Sequence, residues 1–101
     1  MLAHIVFFTL IDPTPENCQD MVDACAKYLS DHPGTLHFSA GTRAEQYTRE
    51  VNDADFHVAL HLVFENTEAH DNYQTAERHL QFIEENKASW ANVRVFDSNV
   101  G

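Results

Sequence analysis

The chain has 101 residues, 44% of them apolar and 22% charged, the composition of an ordinary soluble globule with room for one compact domain over residues 1–101. Against 6 Lys and Arg stand 16 Asp and Glu, a formal charge of −10; a surface of that sign repels phosphate backbones and anionic lipid, which argues against nucleic acid or a membrane as partner. No apolar run approaches the roughly 18 residues that span a bilayer, and MLAHIVFFTLIDP lacks the basic start and small-residue cleavage site of a signal peptide, so a cytoplasmic protein is expected.

Residues 3–10, AHIVFFTL, are β-branched and aromatic and stop at Asp-Pro, which predicts a first strand. It is apolar on both faces, with Ala3, Ile5 and Phe7 on one and Val6, Phe8 and Leu10, joined by His4, on the other. A strand of that kind is covered on both sides. Residues 14–30 predict a helix with Thr14 as N-cap and Pro15 at the first helical position. Cys18, Met21, Val22, Cys25 and Leu29 recur at helical spacing as its core stripe. Seven residues of helix rise about 10.5 Å, too far for Cys18 and Cys25 to bridge at the roughly 4.4–6.8 Å that a disulfide needs between Cα atoms. They are expected as free, buried thiols in a reducing compartment.

A second, weaker strand is predicted over TLHFSAGT (35–42). The polar stretch 43–55 reads as a long loop of the kind that often borders a site. Residues 55–64, DFHVALHLVF, predict a third strand, with Phe56, Val58, Leu60, Leu62 and Phe64 on one face and His57, Ala59, His61 and Val63 on the other. A second helix begins at Asn66 or Thr67, Asn66 being the N-cap candidate. Ala69, Tyr73, Ala76, Leu80 and Ile83 form its expected core stripe. A short last strand, 92–97, follows Trp90.

This order, β-α-β-β-α-β, predicts an α+β, ferredoxin-like domain: a four-stranded antiparallel sheet with both helices on one face. The other face, with Ala3, Ile5, Phe7, Ala59 and Val63, is then bare. Apolar sheet of that extent marks an interface, and a twofold homodimer with two sheets packed face to face, a dimeric α+β barrel, is the simplest cover.

Few residues offer chemistry. His57 and His61 would chelate on a helix, but on a strand they lie about 13 Å apart, and no metal motif, P-loop, GxGxxG or GxSxG is present. No metal and no cofactor is expected. The space between sheet and helices is lined by His4, Val6 and Phe8, by Val58, Leu60 and Leu62, and by Tyr73, His79 and Phe82, with Trp90 beside it. An apolar pocket with a few polar groups is the ordinary form of a small-molecule site, and a neutral His there takes a proton while a Tyr orients a carbonyl or phenol. Tyr73 and His79, six residues apart, project about 120° from each other on a straight helix. They converge only if the helix bends between Ala76 and Arg78. Without a bend they are packing residues with polar tips, so both readings stay open.

Certain stretches, taken together, resemble the stress-responsive A/B barrel (Dabb) family: AHIVFFTL, the span FHVALHLVFENTEAHDNYQTAERHLQF, and SWANVRVFD. The marks are His4, Phe56, Phe64, Tyr73, His79 with Phe82 three later, and Trp90. The resemblance implies a ferredoxin-like protomer and a dimeric barrel, in a family most of whose members have no assigned reaction. One branch, the plant olivetolic acid cyclases, closes a polyketide ring with a His general base and an assisting Tyr. The resemblance carries those roles to His79 and Tyr73, and pocket-lining roles to His4, Phe82 and Trp90. That branch has His-Pro-x-His where this chain has Ala76-Glu77-Arg78-His79, which withdraws support for a polyketide and puts Glu77 and Arg78 at the pocket mouth. The expected function is binding of a small aromatic or carbonyl compound, with His-based proton transfer. The alternatives are a stress-protective structural dimer and a cofactor-free monooxygenase.

Overall fold

The computed structural model describes all residues, Met1–Gly101. Strand β1 (Leu2–Leu10) is followed by helix α1 (Pro15–Leu29), strands β2 (Thr35–Thr42) and β3 (Val58–Phe64), helices α2 (Thr67–Thr75) and α3 (Glu77–Asn86), a 3-10 turn over Lys87–Ser89, and strand β4 (Trp90–Asn99). The sheet order is β2-β3-β1-β4 with every pair antiparallel. The ferredoxin-like architecture expected from the sequence is present, with the second helix divided in two.

Antiparallel register sorts the side chains. His4 sits opposite Leu62 on one side and Asp97 on the other, and Val6 opposite Leu60 and Val95, so these residues share the face that the helices cover. Val58, Leu60, Leu62 and Phe64 are at most 1% exposed and form the centre of the core with Phe8, Cys25 and Leu29. Helix α1 starts as expected: Thr14 Oγ1 accepts a hydrogen bond from the Asn17 N–H at 3.1 Å, satisfying one of the free amides of the first turn. Its stripe buries Cys18, Met21, Cys25 and Leu29 and adds Tyr28, whose hydroxyl donates to the Glu85 carboxylate on α3 at 2.7–2.8 Å.

The second helical segment departs from its expected stripe. Asn66 caps α2 by accepting from the Ala69 N–H at 2.8 Å, but Ala76 is extended (φ −63°, ψ 142°) and the helix restarts at Glu77. One extended residue breaks the 100° progression, so the residues after it face elsewhere. Leu80, placed in the core by periodicity, is 54% exposed, and Phe82 takes the buried position. The break is held from α1: the Arg78 guanidinium donates to the Ser30 and Lys27 carbonyls at 2.9 and 2.6 Å, which are acceptors left free at a helix C-terminus. Arg78 is thus committed to α1 instead of standing at the pocket mouth.

Two strand boundaries also shift. β3 begins at Val58, and Phe56 lies outside it on the other face, its ring 4.8 Å from that of Phe7. His57 is a fastening: its N–H donates to the Phe8 carbonyl at 2.8 Å and its Nδ1 accepts from the Leu10 N–H at 3.0 Å. β4 is longer than expected, taking in Trp90 and running to Asn99. The face away from the helices carries half-buried Ala3, Ile5, Phe7, Ala59 and Val63 beside exposed Phe96. The loop 43–57 folds towards this side, tied by the Arg94–Asp53 ion pair at 2.9 Å.

Candidate functional site

Between the β1/β4 half of the sheet and helices α2 and α3 lies a cavity of about 180 Å³. His4, Val6, Phe8 and Leu60 form its floor, Tyr73, Gln74, His79, Phe82 and Ile83 its roof, and Trp90, Val93 and Val95 its β4 wall. Of the residues expected to line it, His4, Val6, Phe8, Leu60, Phe82 and Trp90 do so. Val58 and Leu62 do not; both are fully buried in the core outside its lining. The residues of the 43–55 loop are absent from the wall. Three surface clefts are larger: two of about 400 and 520 Å³ near the start of α1, and one of about 300 Å³ at the entrance to β2. The second is lined by Pro13, Pro15 and Cys18 together with Arg43, Glu45 and His57, and none of the three encloses an aromatic-walled space like the smaller cavity.

Tyr73 and His79 do meet. Their ring centroids are 4.6 Å apart, because the break at Ala76 removes the divergence that a straight helix would impose. Tyr73 is 2% exposed, with its ring also against those of Phe64, His32 and His4. Burial pushes its hydroxyl above the usual phenol range, and the neighbouring Cys25 adds to this, so the phenol stays protonated and keeps its O–H available to donate. Burial likewise holds the His79 imidazole below its ordinary value; the Gln74 main chain opposes this, and the histidines at positions 4, 32 and 70 reinforce it. His79 Nδ1 is buried without a hydrogen-bond partner. Trp90 donates its indole N–H to the Met21 sulfur at 3.4 Å and stacks obliquely against Phe8 and Phe82, closing the far end.

Beside the cavity is a cluster that spacing does not reveal. His4 Nδ1 lies 2.5 Å from Asp97 Oδ1 and 3.2 Å from His70 Nε2, and His70 Nε2 lies 3.8 Å from the same carboxylate oxygen. Gln74 Nε2 approaches His70 Nε2 at 3.0 Å. The expectation of no metal-ligand set rested on motifs within one element. This set joins β1, α2 and β4, and only the His4–Asp97 register brings it together. Both cysteines are free, and burial pushes the Cys25 thiol up to about 12, which makes it inert.

Fold and cavity define a ferredoxin-like α+β domain with a titratable pocket between sheet and helices. The family model of the Stress responsive A/B Barrel Domain matches residues 2–100, and the chain belongs to that family. Three solved structures show the same fold. A protein of Arabidopsis thaliana has a TM-score of 0.81 at 19% identity, covering 100% of this chain and 96% of its own. A dimeric ferredoxin-like protein of unknown function from Thermobifida fusca has 0.80 at 15%, covering 98% and 90%. A hydroxynitrile lyase from Passiflora edulis has 0.75 at 19%, covering 99% and 93%. A comparison with curated protein sequences gives no match. No helix is long and apolar enough to cross a membrane.

Proposed function

We propose that the cavity binds one small aromatic or carbonyl compound and that His79 exchanges a proton with it while Tyr73 donates a hydrogen bond to its oxygen. The observation that carries this is the meeting of the His79 and Tyr73 rings, 4.6 Å apart, in the lining of one cavity. His79 Nδ1 is also buried without a side-chain partner, at a cost of about 1–3 kcal/mol for such an atom. Size agrees: an engineered apolar cavity of ~150 Å³ in another protein holds benzene, so about 180 Å³ suits one ring with a short polar substituent. A neutral imidazole is the form that abstracts a proton, and a protonated phenol the form that stabilises the resulting oxyanion. The hydroxynitrile lyase among the structural neighbours is a precedent for a named enzyme on this fold.

The protomer is read as half of a homodimer closed through the bare sheet face, as one neighbour is described as dimeric. The pocket is tested with Trp90 fluorescence against benzaldehyde, phenol and acetophenone. Saturable quenching that Phe82→Trp abolishes by filling the cavity, and that His79→Ala weakens, supports the reading. Absence of quenching by every compound, with His79→Ala changing thermal stability alone, sinks it in favour of a structural role for these side chains.

A further inference from the structure

We infer that His4, His70 and Asp97 form a binding site for a divalent transition-metal ion of the zinc class, adjoining the aromatic cavity. Zinc bonds nitrogen and carboxylate oxygen at about 2.0–2.2 Å, so donors of a tetrahedral ion stand about 3.3 Å apart. The His4–His70 separation of 3.2 Å matches that value, His70–Asp97 at 3.8 Å is slightly wide, and the hydrogen-bonded His4–Asp97 pair at 2.5 Å must open as the ion replaces its proton. Two imidazoles and one carboxylate are a borderline-soft set, suited to zinc, cobalt or iron(II) over magnesium or calcium.

The surroundings orient the donors. The Gln74 amide nitrogen, 3.0 Å from His70 Nε2, is a hydrogen-bond donor, so that ring nitrogen carries a lone pair. Asp71 Oδ1 lies 3.7 Å from His70 Nδ1, within reach of becoming the outer carboxylate partner usual for a ligating histidine once the ring turns slightly. His70 Nε2 thus has Gln74 and His4 Nδ1 competing for its one lone pair, and His4 Nδ1 also faces the Asp97 carboxylate. Three donor atoms crowd around what in the metal-free protein is a single proton, and a divalent ion serves all three. His4 is 5% exposed and the His70 side chain 12%, while Asp97, at 43%, supplies a solvent-facing entrance. Gln74 is the side chain that must swing aside or turn its amide oxygen to the ion. Since the ligands come from β1, α2 and β4, the ion would clamp the edge strand and helix α2 to the central strand.

The test is zinc titration by calorimetry with Co²⁺ absorption as a second readout, on the full chain. The expected result is one ion per protomer, four-coordinate Co²⁺ bands, a raised Tm, and movement of the His4 and His70 imidazole resonances. His70→Ala and the near-isosteric Asp97→Asn, which guards against a folding failure, should each weaken binding at least about tenfold. His61→Ala, on the opposite sheet face near the exposed His37–Ser39 pair, should leave it unchanged. Lack of saturable uptake at millimolar zinc, or uptake indifferent to His70→Ala, overturns the site. His79→Ala should not alter zinc uptake, so this inference and the aromatic-ligand reading fail separately.

Discussion

At the residue scale, His79 and His4 are the two imidazoles whose protonation burial opposes, and both act in the same pH window. In the unfolded chain an imidazole takes its proton near pH ~6.5; in the folded chain burial holds His79 below that value. Between the two the unfolded state binds more protons, so stability is complete above about pH 6.5 and falls as pH drops through the folded value. Against His79 stands the Tyr73 ring from α2, and the charges of His4, His32 and His70 oppose its protonation. Thermal denaturation between about pH 7.5 and 5 should show Tm declining, with a shallower decline in His79→Gln. The carboxylates held low, Asp53 and Glu85, act in the same direction but at pH near 4 and below, outside this window. An imidazole titration by NMR offers the direct check: His79 should titrate below its ordinary value and shift on Tyr73→Phe. A normal, Tyr73-independent titration would contradict the paired site.

Among the elements, the junctions decide where the site sits. Helices α2 and α3 make one amphipathic stretch in sequence, and nothing in Thr75-Ala76-Glu77 signals an end, since Ala is the best helix former. The break exists because α1 supplies acceptors for Arg78 and because the cavity side offers Phe82 a place against Phe8 and Trp90. Tertiary packing overrides a local propensity worth a few tenths of a kcal/mol per residue. A second junction is the turn into β2. Gly34 has φ +82°, and a Cβ placed there would lie 2.5 Å from that of Ala69 on α2. Gly34→Ala should therefore cost about 1–3 kcal/mol in chemical denaturation, by left-handed strain together with the clash. A neutral or stabilising result would mean that the β2 entrance relaxes freely.

For the molecule as a whole, the open sheet face is the unresolved surface. Phe7 is sandwiched by Phe56 and Phe96 within the protomer, yet Phe96 remains 51% exposed, and Ile5, Ala59 and Val63 adjoin it as half-covered neighbours. An aromatic patch of this kind on a small acidic protein is expected to be an isologous contact. Light scattering after size exclusion should give twice the protomer mass, and Phe96→Glu should shift the species towards monomer by placing like charges across the twofold. A monomer at micromolar concentration for the unaltered chain would remove the barrel assembly while leaving the cavity, which is built within one protomer, intact.

Much of this was legible along the chain. Alternation in AHIVFFTL and VALHLVF fixes which residues face the helices, Thr14-Pro15 and Asn66 fix two helix starts, and seven residues of helix between Cys18 and Cys25 keep the thiols apart, because each of these depends on local periodicity or a local hydrogen bond. The failures share the opposite cause. Leu80 is exposed because of an interruption that only α1 and the cavity impose. Phe56 leaves its strand because the Phe7 ring on the far face receives it. The meeting of Tyr73 with His79, and of His4 with His70 and Asp97, depends on a helix break and on strand pairing across 93 residues. Sequence therefore determined the elements and their core faces, whose energetics are short-range. Tertiary structure alone decided which polar groups converge, because convergence is a property of how those elements are registered against one another.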